Sequence, residues 1–130
     1  MRPANRLAWG LLCATVALGG CGGLSIEQKV TLNPVEPKQL DIDAPRSEQK
    51  VKVEVDAPGV PVLVYVVKTE DAEEAFKALL REKEPANTLA GTTEASEKVS
   101  LTATIPAKTP FSVLLRGVGT KGEATVRIKG

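Results

Sequence analysis

Histidine is missing from all 130 residues. Its absence removes the commonest general base and the commonest transition-metal ligand together. Cysteine occurs only at Cys13 and Cys21, and aromatic side chains only at Trp9, Tyr65, Phe76 and Phe111. Sugar-binding surfaces stack on exposed aromatics, yet Tyr65, Phe76 and Phe111 all fall at core-patterned positions, which argues against a lectin. Neither sign of charge dominates, with 17 basic and 16 acidic residues. Nucleic acid, which selects a strongly basic face, is therefore not an expected partner. The apolar run 7–18 has twelve residues, short of the roughly 20 that a membrane-spanning helix needs.

What is present begins at the N-terminus. Arg2 and Arg6 precede that apolar run, no acid accompanies them, and Leu18-Gly19-Gly20-Cys21 follows. A basic start, an apolar centre and small residues before a cut site make a secretory signal. Leu18-Gly19-Gly20-Cys21 resembles the lipobox of bacterial lipoproteins: an aliphatic residue, two small residues, then cysteine. The resemblance implies cleavage between Gly20 and Cys21 and a diacylglycerol on the Cys21 thiol. Two or three acyl chains hold a protein on a bilayer stably where one does not. Gly22 stands where Asp would favour inner-membrane retention, so the resemblance implies the outer membrane in a cell that has two.

Three segments result: a cleaved signal over 1–20, a lipidated tether over 21–25, and one domain over 26–130. Of 130 residues, loss of 20 leaves 110, enough for a modest core without staples. Arg2 and Arg6 leave with the signal, and so does Cys13. No thiol then remains for a disulfide or a metal cluster once Cys21 is acylated.

Across the domain, apolar and polar residues alternate. Val51, Val53 and Val55 alternate with Lys50, Lys52, Glu54 and Asp56. Similar sets run through Ile26–Leu32, Leu40–Ala44, Val99–Ile105, Phe111–Leu115 (with Leu114 as an exception) and Ala124–Ile128. Period two with β-branched residues marks strands wetted on one face. The segment 60–67 is apolar at both parities, as a strand covered on both faces must be. Its second cover is expected from residues 70–83, where Ala72, Ala75, Phe76, Leu79 and Leu80 recur at helical spacing. Thr69 or Asp71 is the expected cap, with Asp71 and Glu74 spaced as a capping box. The fold class is therefore all-β: an antiparallel β-sandwich of seven or eight strands with one amphipathic helix. This layout resembles small secreted bacterial β-sandwich domains, among them the pre-peptidase C-terminal type.

Few motifs carry chemistry. Gly117-Val118-Gly119-Thr120-Lys121-Gly122 reads G-x-G-x-x-G, but a strand pattern follows it where a dinucleotide fold opens a helix. A hairpin loop with positive-φ glycines is the expectation. Asp41, Asp43 and Asp56 are candidate Ca2+ ligands, because Ca2+ takes six to eight oxygens; a solvated face of mixed charge explains the same residues. Ser25, Ser47, Ser96, Ser100 and Ser112 lack both G-x-S-x-G and a histidine partner. No enzyme activity, cofactor or small-molecule substrate is expected. The segment 86–96 reads as a polar loop or weak edge strand open to strand addition by a partner. The expectation is a lipid-anchored envelope protein with a structural or protein-binding role, the alternative a solute- or Ca2+-binding envelope module.

Overall fold

A computed structural model describes residues 24–130. The expected lipobox, Leu18-Gly19-Gly20-Cys21, lies outside them. The alternating segments form β1 (Ser25–Leu32), β2 (Lys38–Ile42), β3 (Gln49–Asp56), β4 (Val62–Lys68), β5 (Thr88–Gly91), β6 (Lys98–Ile105), β7 (Phe111–Gly117) and β8 (Gly122–Lys129), with α1 (Ala72–Leu80) between β4 and β5. Two antiparallel four-stranded sheets result, in the orders β1-β8-β3-β6 and β2-β7-β4-β5. Apart from the β4–α1–β5 passage, every connection changes sheet.

The core lies between the sheets. Val51, Val53 and Val55 of β3, Val126 and Ile128 of β8, and Val62, Val64 and Val66 of β4 meet Phe111, Val113 and Leu115 of β7 there. Each large apolar side chain buried this way is worth about 1.5–3 kcal/mol. The opposite parity of the second sheet is apolar as well. Tyr65 and Val67 of β4 and Leu114 of β7 pack with Ala72, Ala75 and Leu79 of α1 in a separate cluster. Leu114, which breaks the alternation of its strand, is thereby explained: it lies under the helix.

Three expectations need correction. The helix is shorter than 70–83: a 3-10 turn, Thr69–Asp71, precedes it, and Asp71 at the N-cap makes no side-chain capping bond. The backbone of Asp71 already has helix-like angles, φ −100° and ψ −1°, whereas a capping side chain needs an extended residue to reach back to the first turn. The helix ends at Leu80. The Lys83 amide donates to the Ala78 carbonyl (2.8 Å) and the Glu82 amide to the Leu79 carbonyl (3.0 Å), a Schellman closure with Glu82 at φ 58°. Finally, residues 117–122 are no hairpin. They carry the chain from β7 in one sheet to β8 in the other. Gly119 takes φ +83°, and a Cβ at Gly122 would lie 2.5 Å from Val60 Cγ2, so the motif serves a turn and a close approach.

Candidate functional site

The two outer faces of the sandwich differ. On the first sheet, register sets Glu27 beside Arg127 and Arg127 beside Glu54, with Ser100 next in the row. The Arg127 guanidinium bonds the Glu27 carboxylate at 3.3 Å, and Lys52 lies 3.4 Å from Glu54. Such exposed pairs contribute little, about 0–1 kcal/mol each.

The second sheet is covered by α1 over β4 and β7 but not over β2. A groove therefore runs between α1 and the β2 edge, lined by Gln39, Thr69, Ala72, Phe76, Lys77 and Leu80, with Glu73 at its rim. It encloses about 530 Å³ and opens broadly to solvent. Leu80 is 49% exposed, a large apolar side chain that the helix stripe carries past the end of its cover. Lys77 reaches Glu73 at 3.6 Å and Glu74 at 3.9 Å.

A polar chain fixes the groove floor. Ser112, on the outward parity of β7, is fully buried. Its hydroxyl donates to Asp41 Oδ1 at 2.7 Å, and Gln39 Nε2 donates to the same oxygen at 2.8 Å. With the Ser112 proton so used, the 3.1 Å contact between Thr69 Oγ1 and Ser112 Oγ has Thr69 as donor. The 3-10 turn, β7 and β2 are thus tied by hydrogen bonds ending on one carboxylate, the stronger charge-assisted kind. At the other end of the helix Arg116, its side chain 14% exposed, lies 3.6 Å from Glu82 and donates to the Pro34 carbonyl at 3.3 Å. Beneath α1, burial raises the pKa of Tyr65; Glu84 adds to the rise and Arg116 opposes it.

The sequence-derived candidates are dispersed. Asp41 sits on β2 in the network just described and Asp43 just beyond that strand, whereas Asp56 ends β3 in the other sheet. Among the described residues no three acidic, histidine or cysteine side chains gather as a metal site. Residues 86–96 do contain an edge strand, β5, paired with β4 and close to β6 of the other sheet. Sequence reasoning missed the groove and the place of Ser112 in the network beneath it. The available signals were a serine on the same parity as Leu114, and Leu80 extending the helix stripe past Leu79.

No family model matches the chain, and no curated protein matches it in sequence. Solved structures do resemble it. The pre-peptidase C-terminal domain of a collagenase from Bacillus anthracis superposes with a TM-score of 0.54 at 8% identity, over 82% of this chain and 88% of that one. PliG of Aeromonas hydrophila, a periplasmic inhibitor of g-type lysozyme, gives 0.52 at 12% identity, over 82% and 86%. The chain shares its fold with small bacterial β-sandwiches. A Yersinia pseudotuberculosis-derived mitogen gives 0.50 at 3% identity over 80% and 83%. At these identities the likeness concerns the fold, and function has to be argued from the site.

Proposed function

We propose that this is a lipid-anchored protein of the bacterial cell envelope that acts by binding another protein rather than by catalysis. Acyl chains on Cys21 would hold it at the membrane, and the groove beside β2 would take the partner. The observation that carries this reading is the combination of an apolar groove with a free strand edge. Among the described residues β2 has no neighbour on its outer side, and Phe76 and Leu80 line the groove next to it. An unpaired edge offers main-chain donors and acceptors that a second strand satisfies, and a flanking apolar groove selects its side chains. A segment of an envelope protein in extended conformation, with apolar residues at alternate positions, fits both. A second copy fits less well. Antiparallel pairing of two β2 edges would turn the two N-termini in opposite directions, and two short tethers could not then enter one bilayer. The fold likeness to a periplasmic lysozyme inhibitor supports the reading, since that sandwich also works on a protein.

Cross-linking in native membranes, from a photoreactive residue in place of Gln39 or Leu80, tests it. The expected result is a discrete adduct with another envelope protein from both positions and none from Thr102 on the opposite outer face. Equal labelling from all three positions, or no adduct from any, would remove the groove as a binding site.

A further inference from the structure

The start of β1 fixes which part of the molecule lies nearest the anchor. The Gly130 amide donates to the Leu24 carbonyl at 2.9 Å, and Ser25 pairs with Lys129. Leu24 is therefore held at one end of the sandwich. From Leu24 back to Cys21 three residues span at most about 11 Å. The eight residues of β1 extend roughly 26 Å in the other direction. Loops 43–48 and 106–110 share the Leu24 end, because β2 and β6 finish there and β3 and β7 begin there. The Lys108 amide donates to the Pro45 carbonyl at 2.8 Å, which joins the two loops into one platform. Lys108 holds φ 57° to make that contact, a left-handed conformation that an L-residue adopts at some cost.

Charge at this end favours a particular surface. Arg46, Lys50, Lys108 and Lys129 are exposed there, and among the described residues none of them is within ion-pair distance of an acid. Lys129 also lies directly across from Lys52, a like-charge neighbour that an external anion would relieve. Asp43 and Glu48 are exposed on the first of these loops, and Lys68, Glu70 and Asp71 lie at the same end, where β4 runs into the 3-10 turn. On the two loops and the adjoining strand ends the four bases outnumber Asp43 and Glu48, and the balance reverses only at the 3-10 turn with Glu70 and Asp71.

We infer that the domain stands end-on, with the platform of Pro45, Arg46 and Lys108 resting on anionic lipid headgroups. The inference rests on the acylation of Cys21 proposed above. In this pose the turn carrying Val35, which is 74% exposed, points away from the bilayer. The groove beside β2 then runs up the side, open to a partner in the space above the membrane. Basic side chains near an anionic bilayer each strengthen attachment about five-fold, so Arg46 and Lys108 select this end over the charge-balanced β1 side, where Glu27 and Lys29 alternate.

The test uses the full-length lipidated chain in vesicles of phosphatidylethanolamine and phosphatidylglycerol. Single Ser47→Cys, Gln28→Cys and Thr120→Cys variants carry a fluorophore and report quenching by headgroup-labelled lipid. Mass spectrometry of the Cys21 peptide in the same preparation establishes the acyl group. The expected result is strong quenching at Ser47→Cys, weak quenching at Gln28→Cys and none at Thr120→Cys. Arg46→Glu with Lys108→Glu should lower the ratio of the first signal to the second by about five-fold per charge or more, and the ratio should also fall in phosphatidylcholine vesicles. Acylated protein with equal quenching at all three positions, or with a ratio indifferent to charge, overturns the end-on pose and leaves the anchor intact. A Cys21 peptide without acyl groups overturns both.

Discussion

The outer faces of the two sheets share a backbone architecture and have opposite fates. On the first, Lys50, Lys52, Glu54 and Asp56 of β3 stand beside Thr125, Arg127 and Lys129 of β8 in water. On the second, Leu63, Tyr65 and Val67 of β4 and Leu114 of β7 lie beneath α1. A sheet with one apolar parity closes a sandwich and is finished. A sheet with two must recruit a third layer, and a nine-residue helix covers only part of the width. The uncovered remainder is the groove beside β2. The groove proposed for partner binding is thus a by-product of how β4 and β7 are stabilised.

The comparison can be broken most severely by exchanging the character of the faces. Leu114→Asp should destabilise by at least about 3–5 kcal/mol, because a carboxylate would be buried without a partner, whereas Thr125→Asp on the first sheet should stay within about 0.5 kcal/mol. Urea unfolding of both variants decides it, and similar midpoints would show that α1 does not seal its face. Leu79→Ala removes a side chain of the helix that is 2% exposed and should cost about 2–4 kcal/mol. Hydrogen exchange should then rise in α1 and the outward positions of β4 more than in β3 and β8. Uniform loss of protection would mean that the two clusters unfold as one.

Ser112→Ala leaves Asp41 and Thr69 without their shared partner and should cost about 1–3 kcal/mol. Loosening between β2 and the 3-10 turn, seen as faster exchange at Thr69 and Glu70, would accompany it. At the helix terminus, Glu82→Gly relieves a left-handed residue worth roughly 1–2 kcal/mol and gives up an ion pair worth about 0–1 kcal/mol. A net gain of up to about 2 kcal/mol in thermal unfolding is expected, and a loss would mean that the Arg116 contact outweighs the backbone strain.

The smallest effect concerns Tyr65. Burial, aided by Glu84 and opposed by Arg116, holds its hydroxyl above the ordinary value of 10.0. A folded pKa above the unfolded one leaves stability intact below about pH 10 and erodes it as the pH rises through the folded value. Tyr65→Phe should remove this component, so melts above pH 10 should fall less steeply than for the natural chain. Identical alkaline slopes would exclude it.

Much of this was legible in the residues. Strict alternation over 51–55, 99–105 and 124–128 specifies strands and their inward faces. The double-parity run at 62–67 announces a second cover, and the stripe from Ala72 to Leu80 supplies it. Less legible were the features set by partners distant in sequence. Asp41 and Ser112 are 71 residues apart, and no local pattern links them. Asp41 and Asp56 read alike as solvent-facing acids on strands, yet they occupy different sheets, a fact of strand order alone. The span 117–122 reads as a hairpin because adjacent strands usually pair, but β7 and β8 lie in different sheets and share no ladder.

By itself the sequence determined the class of the fold, the inward face of each strand and the need for a covering helix. These follow from local periodicity and covalent order, which require no knowledge of neighbours. Tertiary structure decided which strands share a sheet, and therefore that α1 falls short of β2 and that Ser112 finds Asp41. It also decided that Leu24 emerges at the same end of the sandwich as the joined loops of Pro45 and Lys108. Long-range pairing fixes those relations, and the free energy behind it is spread over two clusters of buried side chains rather than written in any one segment.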